Sequence, residues 1–514
     1  MTPGLRTALS RIRPLRPWLA WLALALWFAP TLCYPFGRDQ GLYFYVAREW
    51  ATRGALPYRD SFDQKPPGIY AIHRLANWLS GDAQWGIRAF ELAAVLGSGF
   101  VLWRAATGAR PNGRQAWAGS ALLATFYFGT LDYWDTAQCE LWEGLSLVCA
   151  QVFALERSPP RRRALAVGLA SGLAFVLKFP ALLTFPVFVA VLAVEEFRTG
   201  RGWRGTALSW LCFSIGAVLV PLGFVGYFAL RGGLAEAYDV LIGYNAFYVQ
   251  KKHLPHAVLL WSTLQYWLVV GWVLFWPVLV ASLFVAWRVV SARAPVPLLR
   301  FATTLALLSV SVAAVEAQGK LYGYHWGVVL LFLVQLVLQS LDWLGPAWQR
   351  WLPVAWCSAV MCFGPPWLTN SFQSYPRYVE DFSRYALQID QRAQFLRPFV
   401  GGYSYVYADQ EKLGRQIRTR ARAGDELQVR GFEPAIYQVS GLGSPCRFFA
   451  EFPLHDPELK YRRDEWQGSH ERCLRQTRPR FIVSFAGLRD VDELQAIGYA
   501  PFARQGPLIA LERR

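Results

Sequence analysis

The chain predicts a polytopic α-helical membrane protein of about eleven transmembrane helices, followed by an external α/β domain. Three observations carry this. Hydrophobic residues make up 54% of the 514 positions and charged ones only 17%, with a positive mean hydropathy, a balance that argues against a soluble enzyme. The apolar residues gather into long runs. The basic residues gather in alternate short loops between those runs.

The runs fall at 18–34, 89–103, 116–131, 141–155, 164–177, 180–194, 207–230, 266–287, 301–315, 326–344 and 351–368. Several are shorter than the roughly 20 residues of a perpendicular span. The first has a basic flank like a signal sequence but no small-x-small cleavage site near 33–37, so it is expected to stay as an anchor.

Orientation follows from arginine. Arg6, Arg11, Arg13 and Arg16 precede the first run, Arg104, Arg110 and Arg114 follow the second, and Arg157, Arg161, Arg162 and Arg163 follow the fourth. Arg198, Arg201 and Arg204, then Arg288, Arg293 and Arg300, and finally Arg350 continue the alternation. The positive-inside rule puts these loops and the amino terminus in the cytoplasm, with the intervening loops outside. The net charge of +17 is thus mostly a topology signal, and a nucleic-acid partner is not expected.

After Leu368 hydropathy drops. Residues 1–368 are expected as the membrane module, with a first external loop at 35–88, and 369–514 as a soluble periplasmic α/β domain. Helical spacing covers 409–423, 464–475 and 490–497. Strands are expected at 427–431 running into 432–439, and at 448–452, 481–485 and 507–511. This tail has no phosphate-binding glycine loop or nucleophile elbow and is assigned no chemistry. Cys446 and Cys473 lie in it, on the oxidising side, where a disulfide between them can persist. The other six cysteines, Cys33, Cys139, Cys149, Cys212, Cys357 and Cys362, lie in or beside apolar runs without metal-ligand spacing and read as packing residues.

The external loops hold the polar density. The first, Arg38 to Gly81, opens with Asp39 right after an apolar run, passes through a short amphipathic helix, turns at Gly54 and Pro57, and presents Lys65 before Pro66, Pro67 and Gly68. A second, LDYWDTAQCE, carries Asp132, Asp135 and Glu140; a third, between residues 231 and 265, contains GYNAFYVQKKHLPH; a fourth, EAQGKLYGYH, carries Lys320, Tyr322, Tyr324 and His325. Lys178 ends the fifth run. Each has a modest reading too: Asp39 as a helix cap, Glu140 as a carboxylate at a helix amino terminus, Lys65 and Lys178 as snorkelling side chains. Together, acids mixed with lysines at one membrane face suggest a site that handles an anionic group and needs a base, because ionisable groups at membrane depth cost roughly 2.5–3.5 kcal/mol unless they meet a cavity or partner.

The sequence ALPYRDSFDQKPPGIY, preceded by Asp39 and Tyr43, resembles the first external loop of the GT-C class of membrane glycosyltransferases, the superfamily of protein O-mannosyltransferases and lipid A aminoarabinose transferases. Those proteins have an Asp after the first span, a tyrosine and helix, then G-x-x-P-Y and a K-P-P or E-K-P element; here these fall on Asp39, Tyr43, Gly54, Pro57, Tyr58 and Lys65-Pro66-Pro67. AQCELWEGL is similar to the family's N-T-E or L-D-P element and lands its acid on Glu140. SGLAFVLKFPALL is similar to G-x-A-x-x-x-K with Lys178, and QGKLYGYHW to G-K-x-x-x-Y with Lys320 and Tyr324. The similarity covers roughly residues 18 to 345. Two positions depart from the pattern: Gln40 stands where the family often has Glu, and Gln138-Cys139 where Asn-Thr is usual.

The resemblance implies an inverting glycosyltransferase that takes a hexosyl or pentosyl group from a polyprenyl phosphate at the outer face of the inner membrane and passes it to a hydroxyl of a lipid, glycan or protein. It implies Asp39 as base and Glu140 as second acid. It puts Lys65, Lys178, Lys320 and Arg38 on the donor phosphate, and Tyr43, Tyr58, Tyr324 and His325 around the substrate. A divalent cation is a candidate cofactor. A lipid-linked sugar transporter or flippase is the alternative, which would want polar midplane residues and a repeat between halves; an envelope assembly protein anchored by its spans is the third.

Overall fold

The computed structural model describes residues 17–252, 254–265, 267–268, 272–292, 295–344, 346–363, 375–402, 405–456, 458, 460–485 and 489–514. Arg6, Arg11, Arg13, Arg16, Arg293 and the end of the last apolar run at 364–368 lie outside these, as do the side chains of Arg350 and Cys362.

The first run forms α1 (Pro17–Phe28) and a 3-10 turn (Ala29–Cys33), then bends by 81° into α2 (Arg38–Thr52). Pro35 explains the bend: the residue before a proline is pushed out of the helical region, and Tyr34 is extended at φ −58°, ψ 125°. Gly54 and Tyr58 then take φ of +66° and +71°. A tyrosine there is uncommon; its amide donates to Ser61 O (2.9 Å) and its hydroxyl to Lys65 O (2.8 Å), which hold the turn. Helix α3 (Pro67–Ser80) starts with Pro67 as its first residue, where the missing N–H costs nothing, and ends at left-handed Gly81.

The remaining runs form α4 (Gln84–Thr107), α5 (Gly113–Thr130), α6 (Cys139–Ala154), α7 (Pro160–Leu177), α8 (Phe185–Arg198), α9 (Gly202–Leu230), α10 (Asn245–Lys252), α11 (His256–Gln265), α12 (Trp272–Ser291), α13 (Pro295–Ala317), α14 (Gly327–Leu344) and α15 (Pro346–Phe363). The short α10 and α11 belong to the polar third loop; every other helix in this set, with α1, corresponds to one of the predicted apolar runs. By length and composition alone, five helical segments among the described residues can cross a bilayer, or six with the bent α1–α2 pair. The chain is therefore a multi-pass membrane protein. Helix α14 is the bundle's centre, 83% buried over its apolar window, whereas α9 is only 22% buried and offers Leu211, Ile215, Val218, Leu219 and Leu222 outward. Such a face is stable only against lipid. Between α7 and α9 the backbones nearly touch: a Cβ on Gly168 would sit 2.1 Å from Phe213 O and one on Gly172 2.6 Å from Ala217 O, so small residues set this contact.

The tail begins with α16 (Tyr375–Ala386), whose Tyr375 and Tyr378 hydroxyls donate to Trp27 O (2.7 Å) and Pro30 O (2.6 Å). A two-stranded ladder, β1 (Val400–Gly401) and β2 (Tyr405–Val406), precedes α17 (Tyr407–Arg420). A four-stranded sheet follows, made of β3 (Leu427–Val429), β4 (Phe481–Phe485), β5 (Tyr499–Gln505) and β6 (Leu508–Arg513) in the order β3-β4-β6-β5, parallel only between β3 and β4. Helices α18 (Ala435–Ser440), α19 (Arg463–Thr477) and α20 (Arg489–Ala496) complete it. Two expected strands differ. Residues 432–439 are largely α18, started by Pro434 and stopped by left-handed Gly441, and 448–452 contributes only a bridge from Ala450 to Val429. Cys446 and Cys473 are joined.

The tail packs on the first loop. The Arg48 guanidinium donates to Tyr437 O (3.1 Å) and Leu442 O (2.5 Å), Arg447 Nε to Tyr58 O (2.7 Å), and the Phe62 amide to Arg447 O (2.8 Å). Helix α2, expected as a short amphipathic helix, is buried on both faces, one by the bundle and one by the tail.

Candidate active site

Asp39 lies in the first turn of α2 and Lys65 on the stiff run before Pro66, and the loop folds them together, with Lys65 Nζ 3.9 Å from Asp39 Oδ2. A second pair sits beside the first. Glu140 is in the first turn of α6, Lys178 follows α7 in extended conformation, and the two form a buried ion pair. The loops meet because α3 starts against the end of α7: a Cβ on Gly68 would stand 2.7 Å from Val176 O. Tyr324, in the 3-10 turn Gly323–Trp326, lies between the pairs, its ring centroid 5.1 Å from Lys65 Nζ and 5.6 Å from Lys178 Nζ. An electron-rich ring face suits two ammonium groups.

Tyr43, one turn beyond Asp39, has its ring 5.9 Å from Lys65 Nζ and donates its hydroxyl to Gln138 Oε1 at 2.9 Å. His325 is buried with its ring 4.7 Å from that of Tyr324, and the ammonium groups of Lys178, Lys65 and Lys320 all lie within electrostatic range of it. Lys320 sits over the Tyr248 ring at 3.3 Å, on α10, which is tied to the Lys65 loop by Asn245 Nδ2 donating to Gln64 O at 2.9 Å.

Two expected site residues stand elsewhere. Tyr58 is fully buried in the turn that shapes the loop. The Arg38 guanidinium donates to Phe432 O (2.9 Å), Gly402 O (2.9 Å) and Glu433 Oε1 (3.1 Å). Its helix turns it toward the tail, so it latches the tail onto α2 instead of joining the lysines.

Three contributors, Asp63, Arg88 and Glu91, were not singled out from the sequence. Asp63, inside the very motif that carries the resemblance, is buried; it accepts from Tyr70 OH (2.9 Å) and the Gln64 amide (2.7 Å). Burial pushes its carboxyl up to about 6, with Lys65 opposing and Asp39 adding. Burial alone would lower Lys65, but Asp39, Cys139, Glu140 and Asp63 together carry it above the ordinary lysine value, so it stays charged. Gln40 Nε2 faces three carbonyls, of Tyr133 (3.1 Å), Trp134 (2.7 Å) and Thr136 (2.6 Å). Arg88 donates to Thr136 Oγ1 (2.8 Å), Pro35 O (2.9 Å) and Tyr133 O (3.0 Å), and Glu91 accepts from Tyr127 OH (2.7 Å) and the Ala137 amide. These groups fix the 131–138 loop and thereby the start of α6. Of that loop's acids, Asp132 accepts the Trp134 amide at 2.8 Å, and burial with Asp132 nearby holds Asp135 well above the ordinary carboxyl value. Glu140 pairs with Lys178.

Among the described residues no three His, Cys, Asp or Glu side chains converge as metal ligands. Asp39 and Glu140 each face an ammonium group.

Residues 64–223 match the family model described as dolichyl-phosphate-mannose-protein mannosyltransferase. Curated relatives include an undecaprenyl phosphate-alpha-4-amino-4-deoxy-L-arabinose arabinosyl transferase of Photorhabdus laumondii, 28% identical over 229 residues, covering 40% of each chain. Another is arabinosyl transferase 2 of that description from Proteus mirabilis, 26% identical over 187 residues, covering 33% of this chain and 34% of the relative. The matches thus span about two-fifths and one-third of the relatives' lengths. The fold extends further: ArnT from Cupriavidus metallidurans bound to undecaprenyl phosphate superimposes with a TM-score of 0.62 over 96% of this chain and 97% of that one at 16% identity, and its apo state with 0.60 at the same identity and coverage. The family match is to a lipid-phosphate-sugar mannosyltransferase, both curated relatives are undecaprenyl-phosphate arabinosyl transferases by name, and the likeness of fold spans nearly the whole chain. Both relatives are transferases by name, so the transporter reading is not carried further.

Proposed function

We propose that the chain is an inverting glycosyltransferase that moves a sugar from an undecaprenyl-phosphate donor to an acceptor hydroxyl in the cell envelope, with a pentosyl group favoured by the names of its curated relatives. The observation that carries the proposal is the pair of ammonium–carboxylate couples around Tyr324. In the reaction the acceptor oxygen forms a bond to the anomeric carbon as the bond from that carbon to the donor phosphate breaks. Asp39 takes the hydroxyl proton, and Lys65 and Lys178, with Lys320 nearby, take the charge left on the polyprenyl phosphate. Pre-positioned cations aimed at a leaving phosphate supply the electrostatic part; the base supplies roughly 10² to 10⁴ in rate. Glu140, buried against Lys178, positions that lysine. Tyr43, Tyr324 and His325 wall the site.

In this reading residues 1–368 are the membrane module and 369–514 a periplasmic domain, the amino terminus is cytoplasmic, and the site opens at the outer face. Arginine in alternate loops supports that orientation. A reporter fused after Arg350 should then read as cytoplasmic and one after Arg514 as periplasmic.

The deciding assay incubates the purified full chain with a panel of radiolabelled undecaprenyl-phosphate sugars and envelope fractions and follows the label. Transfer of at least one sugar to a lipid, glycan or protein fraction is expected. Label that stays on every donor with well-folded protein would overturn the proposal.

A further inference from the structure

The ends of α6 and α7 opposite Glu140 and Lys178 open into a cavity of about 990 Å³. Arg163 is fifteen residues before Lys178 on α7, about 22 Å away at 1.5 Å per residue, so this cavity is separate from the candidate active site. Its lining holds Arg104, Arg110, Arg157, Arg163, Arg198, Arg201 and Arg300, against Glu156 and Glu195.

The charges do not cancel. Arg104 pairs with Glu156; Arg163 with Glu196 (3.1 Å) and Glu195 (3.8 Å); Arg198 with Glu195 (2.8 Å); Arg201 with Glu196. Four arginines thus share three carboxylates. Arg110 and Arg157 are exposed and make no ion pair among the described residues. The Arg300 guanidinium donates only to carbonyls there, of Leu155 (2.8 Å) and Ala105 (3.4 Å). Arg163 is buried, and its Nε has no partner. A topology signal needs arginines in a loop, exposed and dispersed; it does not need seven around one cavity, three of which, Arg110, Arg157 and Arg300, form no ion pair among the described residues.

We propose that this cavity binds the phosphate of a membrane phospholipid headgroup. The phosphate oxygens suit guanidinium forks, and the apolar wall of Val152, Leu155, Val296 and Leu299 suits the glycerol and upper acyl chain. Basic pockets between transmembrane helices on the cytoplasmic side recognise anionic headgroups in this way. The chain's own first sixteen residues are an unsuitable occupant, because they carry four arginines and no acid.

The test uses the full chain in nanodiscs of phosphatidylglycerol or of phosphatidylcholine, read by thermal unfolding and by native mass spectrometry of retained lipid. A third arm adds inorganic pyrophosphate to the phosphatidylcholine sample. The variant is Arg110→Gln/Arg157→Gln, both exposed, so that the packed core is untouched; Arg157→Lys keeps the charge. Phosphatidylglycerol should raise the unfolding temperature and remain bound, with retention falling roughly 25-fold in the double variant, about fivefold for each arginine lost, and largely preserved by Arg157→Lys. Equal retention in wild type and double variant overturns the site. Protection by pyrophosphate that phosphatidylglycerol does not match overturns the lipid and leaves a soluble phosphate as the ligand.

Discussion

Lys65 stands 3.9 Å from Asp39 with its ammonium over the same Tyr324 ring that faces Lys178, so the proposed base and the proposed phosphate cations form one cluster, with Glu140 paired to Lys178. A donor phosphate can draw Lys65 away and leave Asp39 free to take a proton. Asp39→Asn keeps the shape and removes the charge. It should lower kcat by at least the roughly 10² expected of a general base while donor binding stays intact. Lys65→Ala should instead raise the donor KM. Near-normal turnover in well-folded Asp39→Asn would move the base elsewhere, and Glu140 would be tested next.

Asp63 gives the loop a pH dependence. Its carboxyl is raised from 3.8 to about 6 in the fold, so the folded state holds this proton more tightly than the unfolded one. The contribution is complete below about pH 4 and is lost as pH rises through 6. Two units at about 1.4 kcal/mol each amount to roughly 3 kcal/mol. Lys65 and Asp39 face the same carboxyl with opposite effects. Asp63→Asn, which can still accept from Tyr70, should be more stable than wild type at pH 7 and show a flatter stability profile between pH 4 and 6. Thermal unfolding across that range checks it; parallel profiles for the two proteins would refute the assignment.

The ends of the apolar runs made Asp39, Glu140 and Lys178 legible, because a charge beside a mostly apolar span stands out. Local spacing also carried the turn at Gly54 and the Pro66-Pro67 start of α3. What could not be read was pairing. Arg38 meets Glu433 across 395 residues, and nothing near Arg38 in the chain distinguishes it from Lys65. Asp63 was hidden differently: its partners are Tyr70 on α3 and the charges of Lys65 and Asp39, which meet it only once the loop has folded back on α2. The misread segment 432–439 had a usable signal, a proline at its start and Gly441 at its end, which together favour a short helix over a strand.

The Arg38 latch is open to direct test. Removing one partner of a buried ion pair leaves the other charge uncompensated, at a cost of about 3–5 kcal/mol, and Arg38 also satisfies two carbonyls of the tail. Arg38→Gln should lower the unfolding temperature and expose the tail to limited proteolysis, with the donor KM of the surviving folded fraction unchanged. Arg38→Lys should rescue little, since one ammonium cannot reproduce the fork. A raised donor KM with a proteolytically intact tail would restore Arg38 to the phosphate.

Gln40 explains one departure from the GT-C pattern in physical terms. Its terminal amide nitrogen lies within 3.1 Å of three carbonyl oxygens, of Tyr133, Trp134 and Thr136; only a donor fits there. The family's frequent glutamate would set a carboxylate against those oxygens, losing the hydrogen bonds at about 1–3 kcal/mol for each group left unsatisfied and adding repulsion. Because the 131–138 loop leads directly into α6, the damage should reach Glu140 and its Lys178 partner. Gln40→Glu is therefore expected to lose roughly 3 kcal/mol or more of stability at pH 7, to recover part of it at low pH as the carboxyl takes a proton and can donate, and to lower kcat through the displaced pair. Gln40→Met, similar in length but unable to donate, should lose stability without the pH-dependent recovery. If Gln40→Glu unfolds at the wild-type temperature at pH 7, the loop is held by Arg88 and Glu91 alone and the substitution is neutral.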